Sequence, residues 1–250
     1  MTGWLVIAGL GPGADALVTP EVVTALAEAT DLVGYLPYVR RVAARPGLTR
    51  HESDNRDELA RARHALEMAM EGRRVAIVSS GDPGVFAMAA AVFEAVETGP
   101  MAWRGLDVRV LPGVTAMLAA AALAGAPLGH DFCAINLSDN LKPWSTVERR
   151  LRLAVEADFA IAIYNPRSAA RPEGMSRALA LLREACEPGR VLVFARAVST
   201  PEEAVRVVAL ADAAAEMADM RTVVLVGSSA TRVIAREGAP FVYTPRAAPA

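Results

Sequence analysis

The chain has almost no lysine. Lys142 is the single one, and every other basic side chain among its 26 Lys and Arg residues is an arginine. Alanine is abundant as well, so genomic base composition is one explanation; selection of Arg for bidentate carboxylate binding is the other, and composition does not separate them. Cysteine is scarce too. Cys133 and Cys186 supply neither a disulfide framework nor a paired ligand spacing, which fits a reducing cytoplasm. The three histidines, His51, His64 and His130, form no metal-ligand pattern, so no metal is expected. Net charge is only -2, which gives no global field favouring nucleic acid or an acidic membrane. The amino terminus carries neither a basic segment nor a long apolar run, so no signal peptide is expected. No apolar stretch is long enough to span a bilayer; the run from Met117 to Ala124 is short and reads as a buried helix. Short-period repeats and low-complexity tracts are absent. What remains is 250 residues, 53% hydrophobic and 22% charged, ample for one large or two small globular domains.

Apolar strands alternate with helical segments. Leu5–Ala8 is a strand leading to a Gly-Pro-Gly loop. Thr19-Pro20-Glu21 then opens a helix to about Ala29, with Thr19 as cap, Pro20 in the first turn and Glu21 suited to the dipole. Leu32–Tyr35 is a strand. The polar stretch His51 to Asp57 precedes a long helix carrying Leu59, Leu66 and Met70 and stopped by Gly72. Val75–Ser79 is a strand, followed by a helix from Val85 to about Val96; strand Val108–Leu111 feeds the helix Thr115–Leu123. Gly125 to Gly129 is the best linker, dividing the chain into 1–126 and 127–250. The pattern then restarts: strand Phe132–Leu137, a helix opened by Pro143-Trp144 and carrying Val147, Leu151 and Val155, strand Phe159–Tyr164, helix Met175–Ala185 and strand Val191–Ala195. Pro201 is expected to open another helix. Thr222–Val226 and Phe241–Tyr243 are the last strands, and the tail Arg246–Ala250 is expected to fray. The fold class is therefore α/β, in two halves of about five strands each.

Four turn motifs sit where buried strands end: Gly9-Leu10-Gly11-Pro12-Gly13, Ser79-Ser80-Gly81-Asp82-Pro83-Gly84, Pro112-Gly113-Val114-Thr115-Ala116 and Tyr164-Asn165-Pro166-Arg167-Ser168. Open α/β sheets bind ligands outside the carboxyl ends of their strands. Gly9-x-Gly11-x-x-Ala14 also meets a loose dinucleotide-binding pattern. That fold places an acid at the end of the second strand, whereas Asp31 precedes the strand here, and Pro12 removes an amide that a phosphate would use. Asp82 reads either as a helix N-cap or as an acceptor for a ligand hydroxyl or amine. Thr115 reads either as a cap or as part of a backbone contact with a ligand.

Taken together, these motifs resemble the tetrapyrrole methylase family, S-adenosylmethionine-dependent enzymes of sirohaem and cobalamin synthesis. The segments Gly129-His130-Asp131-Phe132-Cys133-Ala134-Ile135-Asn136-Leu137-Ser138-Asp139 and Ile163-Tyr164-Asn165-Pro166-Arg167-Ser168 are similar to the branch that methylates C17 of precorrin-3B, or its cobalt form, and contracts the ring to precorrin-4. The resemblance runs to about Pro245. It implies two α/β domains with a cleft between them, usually a cytoplasmic homodimer, and S-adenosylmethionine as cofactor, released as S-adenosylhomocysteine. Carried over residue by residue, the cofactor contacts fall on Pro12, Ser80, Gly81, Asp82, Val85, Thr115, Ala116, Tyr164, Asn165, Ala197 and Thr222. Some relatives have an acid directly after the Gly-Pro-Gly; here that slot is Ala14 and Asp15 follows. Gly227-Ser228-Ser229 stands where the branch often has Asn after the Gly.

Ring contraction moves protons and makes a carbonyl, so a general acid or base would help. His130, Asp131 and Asp139, flanking strand Phe132–Leu137, are the catalytic candidates. His130 can equally be a loop histidine satisfied by Asp131. The tetrapyrrole substrate carries many carboxylates, for which Arg167, Arg40 and Arg41 are the candidate partners; a solvated surface Arg is the plain alternative for each. Other readings are methylation at C20 or C11, or a non-catalytic S-adenosylmethionine-binding module. A nucleotide-dependent oxidoreductase fits the placement of Asp31 poorly.

Overall fold

The computed structural model describes residues 3–54 and 58–247. Residues 55–57 of the polar stretch and 248–250 of the tail lie outside the described residues. The chain divides into two compact units, Met1–Thr115 and Ala116–Ala250. The division falls ahead of the apolar helix, where the sequence pattern had put it after that helix, at 126/127.

The first unit runs β1 (Trp4–Gly9), α1 (Pro20–Glu28), β2 (Asp31–Tyr35), α2 (Leu36–Val39), β3 (Thr49–Ser53), α3 (Glu58–Met70), β4 (Arg74–Ser79), α4 (Met88–Thr98) and β5 (Asp107–Leu111). Its sheet has the order β3-β2-β4-β1-β5 with every pairing parallel. A parallel sheet is covered on both faces, which is why β1 is buried along its whole length. Leu5, Ile7, Val75 and Ile77 pack against α3 and α4. Val6, Ala8, Ala76 and Val78 face the other way, toward Val22 and Ala25 of α1 and Val39 of α2. Thr19 caps α1 as expected, its side chain accepting from Val22 N at 3.3 Å.

Three expectations change. The stretch beginning at His51 starts inside β3, an edge strand whose Thr-Arg-His-Glu-Ser sequence lacks apolar alternation because only one neighbour and part of one face are covered. Helix α4 starts at Met88, not Val85; Phe86, at φ 54, bends the chain just before it. Leu59 and Met70 of α3 are exposed, and its buried stripe is Ala62, Ala65, Leu66 and Ala69, the i, i+3, i+4, i+7 spacing of a core-facing helix.

Asp31, at the amino end of β2, is buried and bonded to Thr30 Oγ1 at 2.8 Å and His51 Nε2 at 2.9 Å, with Arg73 at 3.4 Å. Burial alone would raise its carboxyl. The bonds from His51 and Thr30 and the charges of His51 and Arg73 outweigh burial and hold it below the ordinary 3.8. A depressed carboxyl stabilises the fold above its unfolded value, and that contribution is lost as pH falls through the folded value. Asp31→Asn should therefore cost about 1–3 kcal/mol at neutral pH. In urea titrations the deficit should shrink below about pH 4; a deficit equal at pH 7 and pH 3 would contradict this account.

The second unit runs α5 (Ala116–Ala124), β6 (Gly125–Ala126), β7 (Phe132–Asn136), α6 (Trp144–Glu156), β8 (Ala160–Tyr164), α7 (Gly174–Ala185), β9 (Val191–Arg196), β10 (Ala204–Ala209), β11 (Thr222–Val226), β12 (Arg232–Ile234) and β13 (Phe241–Tyr243). Its main sheet, β10-β9-β11-β8-β7, is mixed: β7 and β8 are parallel, while β11 runs antiparallel to β8 and β9. Val147, Leu151 and Val155 of α6 pack with α7 on one face, and Ala120, Ala121 and Ala124 of α5 on the other. A small sheet, β12-β13-β6, takes up the expected linker: Gly125 and Ala126 pair with Val242 and Tyr243. Gly125 sits at φ 130, and a Cβ there would meet Val242 O at 2.6 Å.

No helix follows Pro201. Residues 204–209 form β10, a hairpin with β9, in keeping with the strand preference of Val205, Val207 and Val208. The Thr-Pro-Glu-Glu that resembles a helix start instead closes the hairpin loop: Thr200 Oγ1 donates to Ala197 O at 2.8 Å and Ser199 N donates to Glu203 Oε2 at 2.6 Å. Among the described residues no helix is long and apolar enough to cross a membrane.

Candidate active site

In the first unit, α1 after β1 and α4 after β4 lie on opposite faces of the sheet while β1 and β4 are neighbours. Where connections leave on opposite faces, a crevice opens at the carboxyl ends of the strands. The loops Gly9–Gly13 and Ser79–Gly84 stand at that point, and they are joined. Gly11 N donates to Gly81 O at 3.2 Å and Gly81 N to Gly11 O at 2.9 Å. Both glycines sit at φ 65, a region costly to residues with a Cβ. The loop after β5 closes the group: a Cβ on Gly113 would lie 2.3 Å from Gly81 O and 2.9 Å from Gly9 C.

Asp82 is not a helix cap, since α4 begins six residues on. Its Oδ1 accepts from Gly84 N at 2.8 Å and its Oδ2 from Gly113 N at 3.1 Å. The carboxylate therefore ties the loop after β4 to the loop after β5, a role no local pattern could disclose. Ser80 and Val85 are half-buried in the same loop, and Pro12 in the loop beside it; Thr115 is buried.

Arg41 is not placed to meet a substrate carboxylate through its end. Its guanidinium donates to the carbonyls of Leu10, Gly11 and Gly13. Burial pushes it below the ordinary guanidinium value, opposed by Asp15. Beside it burial pushes the Tyr38 phenol up, with Tyr35 adding to the shift across an edge-to-face ring contact of 5.3 Å. Arg40 is exposed.

In the second unit, Asn136, Tyr164, Asn165 and Ala197 lie at or just past the carboxyl ends of β7, β8 and β9, and Thr222 opens the antiparallel β11 at the same edge. Asn165 at φ 50, Ala197 at φ 50 and Ser199 at φ 59 occupy the left-handed region. That costs on the order of 1–2 kcal/mol per residue, and such strain concentrates at functional sites. Asn165 Nδ2 donates to Asn136 Oδ1 at 3.1 Å, which also accepts from Ser138 N at 2.8 Å. Asn136 was absent from the candidates because its partner lies 29 residues away. Tyr164 Oη accepts from Met117 N at 3.0 Å, satisfying an N–H in the first turn of α5. Thr222 is tied into the turn before β11: its hydroxyl donates to Asp219 Oδ1 at 2.8 Å and accepts from Asp219 N at 3.0 Å, and its own N–H donates to Asp219 O at 3.2 Å, so both of its donors are spent within the turn.

His130 and Asp131 stand apart from these residues. They precede β7, whereas Asn136 ends it. About 3.3 Å per residue puts roughly 16 Å of strand between them and the carboxyl edge. His130 Nδ1 lies 3.8 Å from Asp131 Oδ2, and both line a shallow pocket with Asp158, Ser228 and Thr244 at the opposite edge. His130→Ala should accordingly leave single-turnover rates within about threefold of the parent, where loss of a general acid or base costs about 10²–10⁴-fold; a rate drop in that range would return His130 to the chemistry. Asp139 is exposed but stands at the carboxyl edge. Nearby, burial and the charges of Arg150 and Arg171 hold Lys142 below the ordinary lysine value, opposed by Asp139, and Lys142 Nζ donates to Ser138 O at 2.8 Å. Arg167 is half-buried in the loop after β8.

Residues 4–214 match the family of Tetrapyrrole (Corrin/Porphyrin) Methylases. Over 247 residues, 98% of this chain and 97% of the relative, the sequence is 53% identical to a Sinorhizobium protein named precorrin-3B C(17)-methyltransferase. The crystal structure of the methyltransferase CobJ aligns with a TM-score of 0.93 at 67% identity, covering 97% of this chain and 100% of that one. A uroporphyrin-III C-methyl transferase from Thermus thermophilus, solved with S-adenosylhomocysteine, shares the fold at 24% identity and a TM-score of 0.69, covering 90% of this chain and 97% of that one.

Proposed function

The chain belongs to the tetrapyrrole methylase family, and from that premise we propose that it transfers a methyl group from S-adenosylmethionine to C17 of precorrin-3B, with ring contraction, in cobalamin biosynthesis. The observation that carries this reading is the 53% identity to the Sinorhizobium C17 enzyme along 98% of the chain.

The residues fit the methyl donor. The carboxyl edge of the first unit is walled by glycine backbone and by half-buried Ser80 and Val85, and Gly81 opens a left-handed turn there. Such a surface offers peptide donors and acceptors to a small polar ligand. The reading assigns donor contacts to Pro12, Ser80, Gly81, Val85 and Thr115 in the first unit. Asp82 holds the loops that form the seat. In the second unit it assigns Ala116, Tyr164, Asn165, Ala197 and Thr222. When bound, the donor supplies a sulfonium methyl that is already electrophilic. The tasks left to the protein are orientation and exclusion of water. Arg40 and Arg167 are the remaining partners for substrate carboxylates, and Asp139 is the remaining acid or base at the carboxyl edge.

The same reading makes the enzyme a cytoplasmic homodimer. Its two cysteines are free thiols, as suits a reducing compartment. Leu118 and Leu123 of the wholly apolar α5, with Val233, Ile234 and Phe241 of the small sheet, are exposed, the surface a subunit partner would cover. Methyl-labelled S-adenosylmethionine incubated with precorrin-3B and with the C20 and C11 substrates tests the reaction. Label at C17 of precorrin-3B alone is expected; label only at another ring position would replace the assignment.

A further inference from the structure

The Gly9–Gly13 loop turns three of its carbonyl oxygens toward one side chain. Arg41 Nη2 donates to Leu10 O at 2.5 Å and to Gly13 O at 2.9 Å, and Nη1 donates to Gly11 O at 2.9 Å. A trans peptide holds its C=O and N–H in opposite directions. The grip on the Leu10 carbonyl therefore aims the Gly11 N–H away from Arg41, and that N–H donates to Gly81 O. Gly11 O takes two donors at once, Arg41 Nη1 and Gly81 N. Two of the three hydrogen bonds joining the Gly9–Gly13 loop to the Ser79–Gly84 loop thus depend on peptides held by one guanidinium; the third, from Leu10 N to Ser79 O at 2.8 Å, continues the strand pairing and does not. Pro12 contributes no N–H that could replace either bond. A planar fork can hold several acceptors in fixed directions, whereas an ammonium is a point charge on a flexible stem.

We propose that Arg41 is a positioning residue, which sets the seat of the methyl donor by holding the Gly9–Gly13 loop against the Ser79–Gly84 loop. The inference rests on the reading that the donor binds at these loops. It gives Arg41 an effect on donor affinity without contact to the tetrapyrrole.

Arg45 is a matched control. Its guanidinium grips the carbonyls of Leu26 and Ala29 at the end of α1, away from both loops. The test is calorimetric titration of the full chain with S-adenosylhomocysteine, with melting temperatures, for the parent, Arg41→Ala, Arg41→Lys and Arg45→Ala. Both Arg41 variants should bind about tenfold or more weakly, the scale expected when a seat is displaced. Free guanidinium ion should restore affinity to Arg41→Ala and not to Arg41→Lys. Arg45→Ala should melt lower and keep the parent's affinity. Parent-like affinity in the Arg41 variants overturns the inference, as does an equal loss in Arg45→Ala. Should Arg41→Ala fail to fold, Arg41→Lys carries the comparison. A parent that does not bind S-adenosylhomocysteine overturns the proposed function itself, and the inference with it.

Discussion

Asp82→Ala is expected to weaken S-adenosylhomocysteine binding by about 10–100-fold while the protein stays folded. The carboxylate accepts from Gly84 N and Gly113 N, and hydrogen bonds to a charged group each contribute about 1.5–3 kcal/mol. Gly84 lies in the loop after β4 and Gly113 in the loop after β5, so the substitution frees two walls of the seat from one another. Helix content should not change, because α4 begins at Met88 and owes no cap to Asp82. Asp82→Asn keeps the shape but turns an NH₂ toward one of the two N–H donors, so it should recover part of the loss at most. Calorimetry on the folded variant, with far-ultraviolet dichroism beside it, reads both quantities. Unchanged affinity would show that the loops keep their spacing without Asp82.

Gly113→Ala is expected to do more damage than its single methyl suggests. The new Cβ would stand 2.3 Å from Gly81 O and 2.9 Å from Gly9 C and O, all of them backbone. No flexible side chain is available to yield, so the ends of β1, β4 and β5 must spread. Overpacking costs typically about 1–3 kcal/mol; with only main chain to move, the upper part of that range applies, together with loss of donor binding. Gly105→Ala is the contrast, since nothing lies within 4 Å of a Cβ there, and it should leave the denaturation midpoint unaltered. Equal midpoints for the two variants would remove the close approach as the reason for glycine at 113.

Much of the fold follows from local pattern. β1, β4, β8 and β11 are sheet-interior strands, and their near-continuous apolar sequence records burial on both faces. The strands missed are those whose neighbours are few. β3 is a polar edge strand, β10 is an edge hairpin behind a turn that imitates a helix start, and β12 has three residues, all exposed. Arginine usage also found its meaning in three dimensions. Arg41, Arg45 and Arg190 each spend donors on main-chain carbonyls, a use beside the carboxylate pairing that composition suggested.

For the site, the sequence by itself determined where special backbone is needed: Gly11 and Gly81 at positive φ, Gly9 and Gly113 at close approach, each at the end of an apolar run. Those requirements act within a few residues, so a short motif carries them. What the side chains between the motifs do was decided by tertiary structure. Asp82 reaches a peptide 31 residues away and Arg41 reaches back 28 to 31. His130 and Asp139 share a motif segment yet fall at opposite ends of β7. A carboxylate or guanidinium bonds whichever partner chain closure brings within about 3 Å, and strand direction sets which end of a sheet a loop occupies. Neither is a property of the residues adjacent in the chain.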